Sequence, residues 1–316
     1  MAVSIPLSRN RSRVWWISAI AMLISAVGLV LSTVQLGTPL RPGLDFTGGT
    51  QIQLERACGD SERCSELQVS AVADQLQSLE LPSDDNDPRP KLDGSRVQLL
   101  DGGQSLSLRL PTLSAAQGQS VISGLEDVAG PFVQGGQSVD TIGPSLGGQL
   151  LRSSLVSLLV AFAGIAVYIT IRYDRRYAFL ALAALAHDVI IVCGVFAWLG
   201  LAVQLEVDSL FAVALLTIAG YSVNDTVVVF DRIRERSRSD ADLSLQEQVD
   251  MAVSATLTRT LYTSGTTLLP LLALIFFGGL TLYWFAIALA LGVVVGSWSS
   301  IAFAPSLLTL WDRGRG

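Results

Sequence analysis

Six long apolar stretches decide what this chain can become. They run roughly Val14–Leu36, Leu150–Ile171, Tyr177–Leu199, Val207–Phe230, Leu257–Gly278 and Leu282–Leu310. About 20 apolar residues suffice for a helix to cross a bilayer, and open sheets cannot satisfy their backbone there. The expected fold is therefore an α-helical polytopic membrane protein with six transmembrane helices. With 50% hydrophobic and only 15% charged residues, and a mean hydropathy of +0.50, the composition fits the membrane class. The first stretch exceeds the 7–15 residues of a signal-peptide core, and no A-x-A site ends it, so it reads as a retained anchor. The sixth is overlong, and its span is expected to end before Pro305.

The arginines set the orientation. Arg9, Arg11 and Arg13 precede the first span; Arg172, Arg175 and Arg176 follow the second. Arg232, Arg234, Arg236 and Arg238 follow the fourth, and Arg313 and Arg315 the sixth. The short loops near Gly200–Glu206 and Gly278–Leu280 carry no Lys or Arg. By the positive-inside rule both termini are cytoplasmic and the long segment after the first span lies outside. The expected division is 1–36 (cytoplasmic N-terminus and first helix), 37–148 (extracytoplasmic domain) and 149–316 (five-helix membrane domain with a cytoplasmic C-terminus). Lys91 is the only lysine, and no basic tract has interleaved aromatics, so nucleic-acid binding is not expected.

The outside segment has the pattern of a soluble α+β domain. Thr50–Glu55 alternates polar and apolar as a half-buried strand does. Leu67, Val72, Leu76 and Leu79 follow at near-helical spacing, and Ser83–Pro90 is an acidic, proline-bearing loop. Arg96–Leu100 and Ser105–Leu110 flank Asp101-Gly102-Gly103, a tight hairpin. Ser114 is placed to cap a helix bearing Val121, Leu125 and Val128, and Phe132–Ile142 returns as a strand. The order β-α-β-β-α-β is a ferredoxin-like arrangement. Cys58 and Cys64 lie in this segment, either bridged, as an oxidising compartment allows, or as two free thiols. Two cysteines with no nearby histidine are half a zinc ligand set, so no metal is expected. Cys193, inside the third span, reads as packing.

Ionisable groups within the spans are costly and tend to mark ion or proton paths. Asp225 lies late in the fourth span and Arg259 early in the fifth. Opposite run directions put them at similar depth, which predicts a pair. Tyr221 and Ser222 share a helical face with Asp225; Thr256, Tyr262, Thr263 and Thr266 share one with Arg259. Asn224 and Thr226 flank Asp225 and join the expected polar seam. His187, the only histidine, and Asp188 lie in mid-span and are further candidates; the histidine can equally serve as an interhelical hydrogen-bond donor. A static salt bridge that orients helices, or an interfacial Arg259 that snorkels, is the competing reading of the Asp225–Arg259 pair. Gly292 and Gly296 form a close-approach motif in the last span.

Five segments together resemble the SecF family of membrane subunits of the bacterial Sec preprotein translocase, within the resistance-nodulation-division superfamily. They are GLDFTGGT after the first span, IGPSLG before the second, ALAHDVII in the third, GYSVNDTVVVFDRIRE in the fourth and TLTRTLYTSGTTLL in the fifth. In the first of these, Gly43, Asp45, Gly48 and Gly49 carry the motif. The resemblance implies six spans, a ferredoxin-like extracytoplasmic domain and a place in the bacterial inner (plasma) membrane. It implies SecD and the SecYEG translocon as partners, with YajC and YidC as further candidates and a translocating preprotein as client. It implies use of the proton-motive force late in export, with Asp225 and Arg259 as proton-path residues. The alternatives are a half-size solute or lipid exporter of the same superfamily, which this chain's six spans would make dependent on a partner, and a non-transporting scaffold of the channel. No nucleophile elbow, Walker loop or zinc motif is present, so neither an enzyme nor a cofactor is expected.

Overall fold

The computed structural model describes residues 7–57, 67–83, 90–92, 95–240 and 242–310. Cys58 and Cys64, and most of the acidic loop, lie outside the described residues. The chain forms two compact units, one of residues 1–41 with 154–316 and one of residues 42–153. In chain order the elements are α1 (Leu7–Leu36), α2 (Leu44–Thr47), β1 (Gly49–Arg56), α3 (Val69–Ser78), β2 (Arg96–Leu100), β3 (Ser105–Leu110) and α4 (Ala115–Ala129). They continue with β4 (Phe132–Ile142), α5 (Pro144–Arg172), α6 (Arg175–Ala202), α7 (Ser209–Ser239), α8 (Leu245–Phe277), α9 (Gly279–Trp298) and α10 (Ala304–Leu308).

Among the described residues six helical segments are long and apolar enough to cross a membrane: α1, α5, α6, α7, α8, and a sixth from Leu282 to Leu308. Several outrun the apolar stretches. The fourth continues to Ser239 and the fifth starts at Leu245, so Arg232, Arg234, Arg236 and Arg238 lie on the end of a helix. Ser244 caps α8 in a reciprocal box with Glu247. Arg236 pairs with Asp240 at 3.0 Å one turn on. The sixth span does not stop before Pro305. It passes through a π turn, Ser299–Phe303, and resumes as α10. Proline cannot donate the bond an α-helix needs at that position, and a widened turn just ahead of it accommodates the loss.

Lipid offers no hydrophobic drive for helix association, so small residues and polar bonds must specify it. The buried stripe of α1 is Val14, Ser18, Ser25, Gly28 and Ser32. A Cβ on Gly194 of α6 would collide with Ser25, and one on Gly28 would meet Trp198. Three indole N–H groups pin α1 in place: Trp198 donates to the Ile24 carbonyl at 2.9 Å, Trp298 to Ser18 at 3.1 Å, and Trp15 to Ser306 at 3.0 Å. Gly292 and Gly296 of α9 both face α7, against Ile218 and Ser222.

The other unit is built on a four-stranded antiparallel sheet of order β2-β3-β1-β4. The alternation read in β1 buries Ile52 and Leu54, opposite Leu108 and Leu106 of β3. Val72 and Leu76 of α3 and Val121 and Leu125 of α4 complete the core. Burying each such side chain stabilises the fold by roughly 1.5–3 kcal/mol. Ser114 caps α4 in a box with Gln117. The β2–β3 hairpin turns through Gly102 (φ 66°) and Gly103 (φ 95°), a backbone that glycine adopts without strain. Thr50 ties two connections together, meeting the Thr141 hydroxyl at 3.0 Å and accepting from the Leu113 amide at 2.8 Å.

Candidate functional site

Four helices converge on a string of polar side chains inside the membrane unit. At its centre Asp188 of α6 is fully buried. Its Oδ2 accepts from Ser222 of α7 at 2.5 Å and from Ser299 at 2.7 Å, and its Oδ1 lies 2.8 Å from His187 Nδ1. His187 is also buried, its ring stacked on Phe303 with centroids 4.5 Å apart. To one side, Thr226 of α7 and Ser300 share a hydrogen bond of 2.8 Å. To another, Tyr221 reaches Ser264 of α8 at 3.0 Å, and Ser264 reaches Ser297 of α9 at 2.5 Å. Buried hydroxyls need partners in this setting, and each of these has one.

Asp225 is buried beside this string. Its Oδ1 takes one long hydrogen bond, 3.4 Å, from Thr260 of α8. Its Oδ2 is buried with no partner among the described residues. The pair expected with Arg259 is not formed as a direct contact: among the described residues no ion pair joins them, and Arg259 lies on the exposed side of α8. The Arg259 charge still acts on Asp225 through space.

The inward face of α8 is Val249, Ala252, Val253, Thr256, Thr260 and Ser264. Of the residues expected on the Arg259 stripe, Thr256 is buried but closes its hydroxyl on the Ala252 carbonyl at 3.0 Å. Tyr262, Thr263 and Thr266 face outward with Arg259, and Thr263 bonds the Arg259 carbonyl. Asn224 is also exposed, on the outer face of α7. The reason is angular. Residues one apart on a helix differ by about 100°, so Thr260 and Asp225 can meet only if Arg259 and Asn224 turn away. Tyr221, Ser222 and Thr226 do join the string.

The serines of the last span were not anticipated. Ser297, Ser299 and Ser300 sit in an apolar helix as the run GSWSS, and three hydroxyls within four residues at membrane depth were the available signal. The Arg236 hydrogen bond holds Asp240 below the usual carboxylate range. Burial pushes the Tyr173 phenol up to about 12. Among the described residues no group of three His, Cys, Asp or Glu could hold a metal ion.

In the sheet unit the Gly43–Gly49 motif has a geometric role. Gly43 lends its carbonyl to the Phe46 and Thr47 amides, both at 3.1 Å, and so starts the turn α2 that carries Asp45. Gly48 (φ 69°) and Gly49 (φ 124°) end it. A Cβ on Gly48 would lie 2.9 Å from Pro144 Cα, and one on Gly49 2.7 Å from the Leu110 carbonyl. The GLDFTGGT and IGPSLG segments therefore meet backbone to backbone, which only glycine permits.

Residues 129–314 match the family described as protein export membrane protein SecD/SecF, C-terminal, and residues 35–58 match the SecD/SecF GG motif. The chain is 61% identical over 305 residues to a protein of Prochlorococcus marinus named protein translocase subunit SecF, covering 96% of this chain and 94% of that one. It is 41% identical to the protein of the same name from Synechocystis, covering 95% and 92%. Among solved structures, that of SecDF from Thermus thermophilus, a translocon-associated membrane protein, is similar with a TM-score of 0.76 and 30% identity. That similarity covers 96% of this chain, which spans 38% of the SecDF chain.

Proposed function

The chain belongs to the SecD/SecF family of protein export membrane proteins, and on that premise we propose that it is an auxiliary subunit of the Sec translocase that works with SecD and draws on the proton-motive force. It is a multi-pass membrane protein. Its relatives carry the name of a translocase subunit, and part of the SecDF chain has a similar fold. We place it in the bacterial inner membrane with both termini cytoplasmic, as the arginine distribution supports. SecYEG is the channel it serves, with YajC and YidC as further partners. We take residues 37–148 as the extracytoplasmic domain. Its order β1-α3-β2-β3-α4-β4 and sheet order β2-β3-β1-β4 support a ferredoxin-like fold. That domain would hold an emerging preprotein against backsliding.

One observation carries the proton reading: the open Oδ2 of Asp225, buried among apolar helices with a single long bond on the other oxygen. A buried carboxyl left this way is costly to a fold and is kept where it does work. Two partners fit the open oxygen, a proton or the Arg259 guanidinium after its side chain swings in. Exchange between them would break or remake the Thr260 bond and repack α7 against α8. A proton crossing 100 mV supplies about 2.3 kcal/mol, enough to bias two states that differ by a few kcal/mol. The scaffold reading makes the opposite forecast. Preprotein export into inverted vesicles, with and without an uncoupler at matched protein levels, separates the two. Asp225→Asn should lose the uncoupler-sensitive component while ATP-driven export continues at lower yield. A variant as uncoupler-sensitive as the wild type would remove Asp225 from the path.

A further inference from the structure

Consecutive residues of α6 hold both ends of the π turn. Asp188 accepts from Ser299, its first residue, and His187 stacks on Phe303, its last. Between them, Ser300 shares a hydrogen bond with Thr226, the neighbour of Asp225 in sequence, and donates to the Ser222 carbonyl at 3.4 Å. Ser222 in turn donates to Asp188. The π turn thus bridges the His187–Asp188 dyad and the stretch of α7 that carries Asp225. We propose that His187 and Asp188 are positioning residues that keep this turn in register and thereby set the hydrogen-bond surroundings of Asp225; the proposal rests on Asp225 being the proton carrier.

The physical argument is one of register. A π turn carries one residue more than an α turn, and such turns persist in helices where local contacts stabilise them. If the grip on Ser299 or Phe303 is lost, the turn can shift by a residue, and Ser299 and Ser300 can no longer meet Asp188 and Thr226 together. Pro305 has no N–H to give the Ile301 carbonyl four residues back, so the shifted form is a distinct arrangement rather than a small relaxation. A device with two discrete arrangements is what coupling between sites requires. The dyad is also built for one arrangement: Ser222, Ser299 and His187, the three side chains that meet Asp188, are all buried, and among the described residues His187 Nε2 is buried without a partner. Among the described residues, His187 is the titratable group in contact with Asp188, and the Arg259 charge acts on Asp225 through space.

The test reads Asp225 itself. Carbodiimide modifies protonated carboxyls, and mass spectrometry of the Asp225 peptide gives the pH midpoint of modification, in membranes holding the full chain together with SecD. Ser299→Ala and His187→Leu should each move that midpoint by about half a pH unit or more, the size expected from losing one hydrogen bond's influence. Ser299→Thr keeps the hydroxyl and should restore the midpoint to within about 0.2 unit of wild type. If either variant fails to assemble, Phe303→Leu removes the stacking alone and should move the midpoint in the same direction. Wild-type midpoints in the assembled variants would overturn the proposal while leaving Asp225 as proton carrier untouched. A shifted midpoint together with full uncoupler response in Asp225→Asn would sink the proton reading on which the proposal rests, leaving only a structural link between the π turn and Asp225.

Discussion

The two units of this chain solve opposite problems. The sheet unit hides apolar side chains from water, and its core is Ile52, Leu54, Leu106, Leu108, Val121 and Leu125 under a polar surface. The membrane unit is apolar outside, and its most specific contacts are polar: Asp188 with Ser222 and Ser299, Thr226 with Ser300, Tyr221 with Ser264. In the first, stability and specificity come from the same residues. In the second they separate. Close packing at Gly194 and Gly292 holds the helices, while each hydrogen bond of the polar string adds little stability.

Substitutions can break this contrast. The largest effect on stability is expected in the sheet unit: Leu125→Ala, fully buried, should cost about 2–5 kcal/mol, read as faster proteolysis of the 42–153 unit in the full-length protein. In the membrane unit, Gly194→Val forces a side chain into Ser25 and should cost about 1–3 kcal/mol, read as a lower unfolding temperature in detergent with the sheet unit unaffected. Thr226→Val removes one bond of the polar string and should cost only about 0.6 kcal/mol, the average for such bonds within membranes. Its export defect should nonetheless exceed that of Gly194→Val at equal protein level. A Thr226→Val protein that loses stability as Leu125→Ala does would erase the distinction.

The same contrast explains what could be read in the sequence. Period-two alternation at Thr50–Glu55 and four-residue spacing at Val121 and Leu125 point to one buried face, so the strands, both helices and their core were legible. The membrane helices are apolar on every side, and no periodicity says which face turns inward. Asp225 was visible as a charge where charge is costly, but the stripe on α8 was taken through Arg259 when the buried one runs through Thr260, a single residue away. Asn224 failed for the same reason. The π turn at Ser299–Phe303 left only Pro305 and the serine run as clues, and neither gives register. What a sequence shows in a membrane unit is which residues are unusual; which neighbours they meet depends on packing.

The central claim, that Asp225 exchanges a proton at its open oxygen, has a direct reading in infrared difference spectra of the full chain with SecD in lipid. Acidification should produce a carboxylic-acid carbonyl band that Asp225→Asn lacks, and Arg259→Leu should move the pH at which the band grows in, because it removes the charge acting on that carboxyl. A difference spectrum in which Asp225→Asn and wild type coincide across the pH range would contradict the claim.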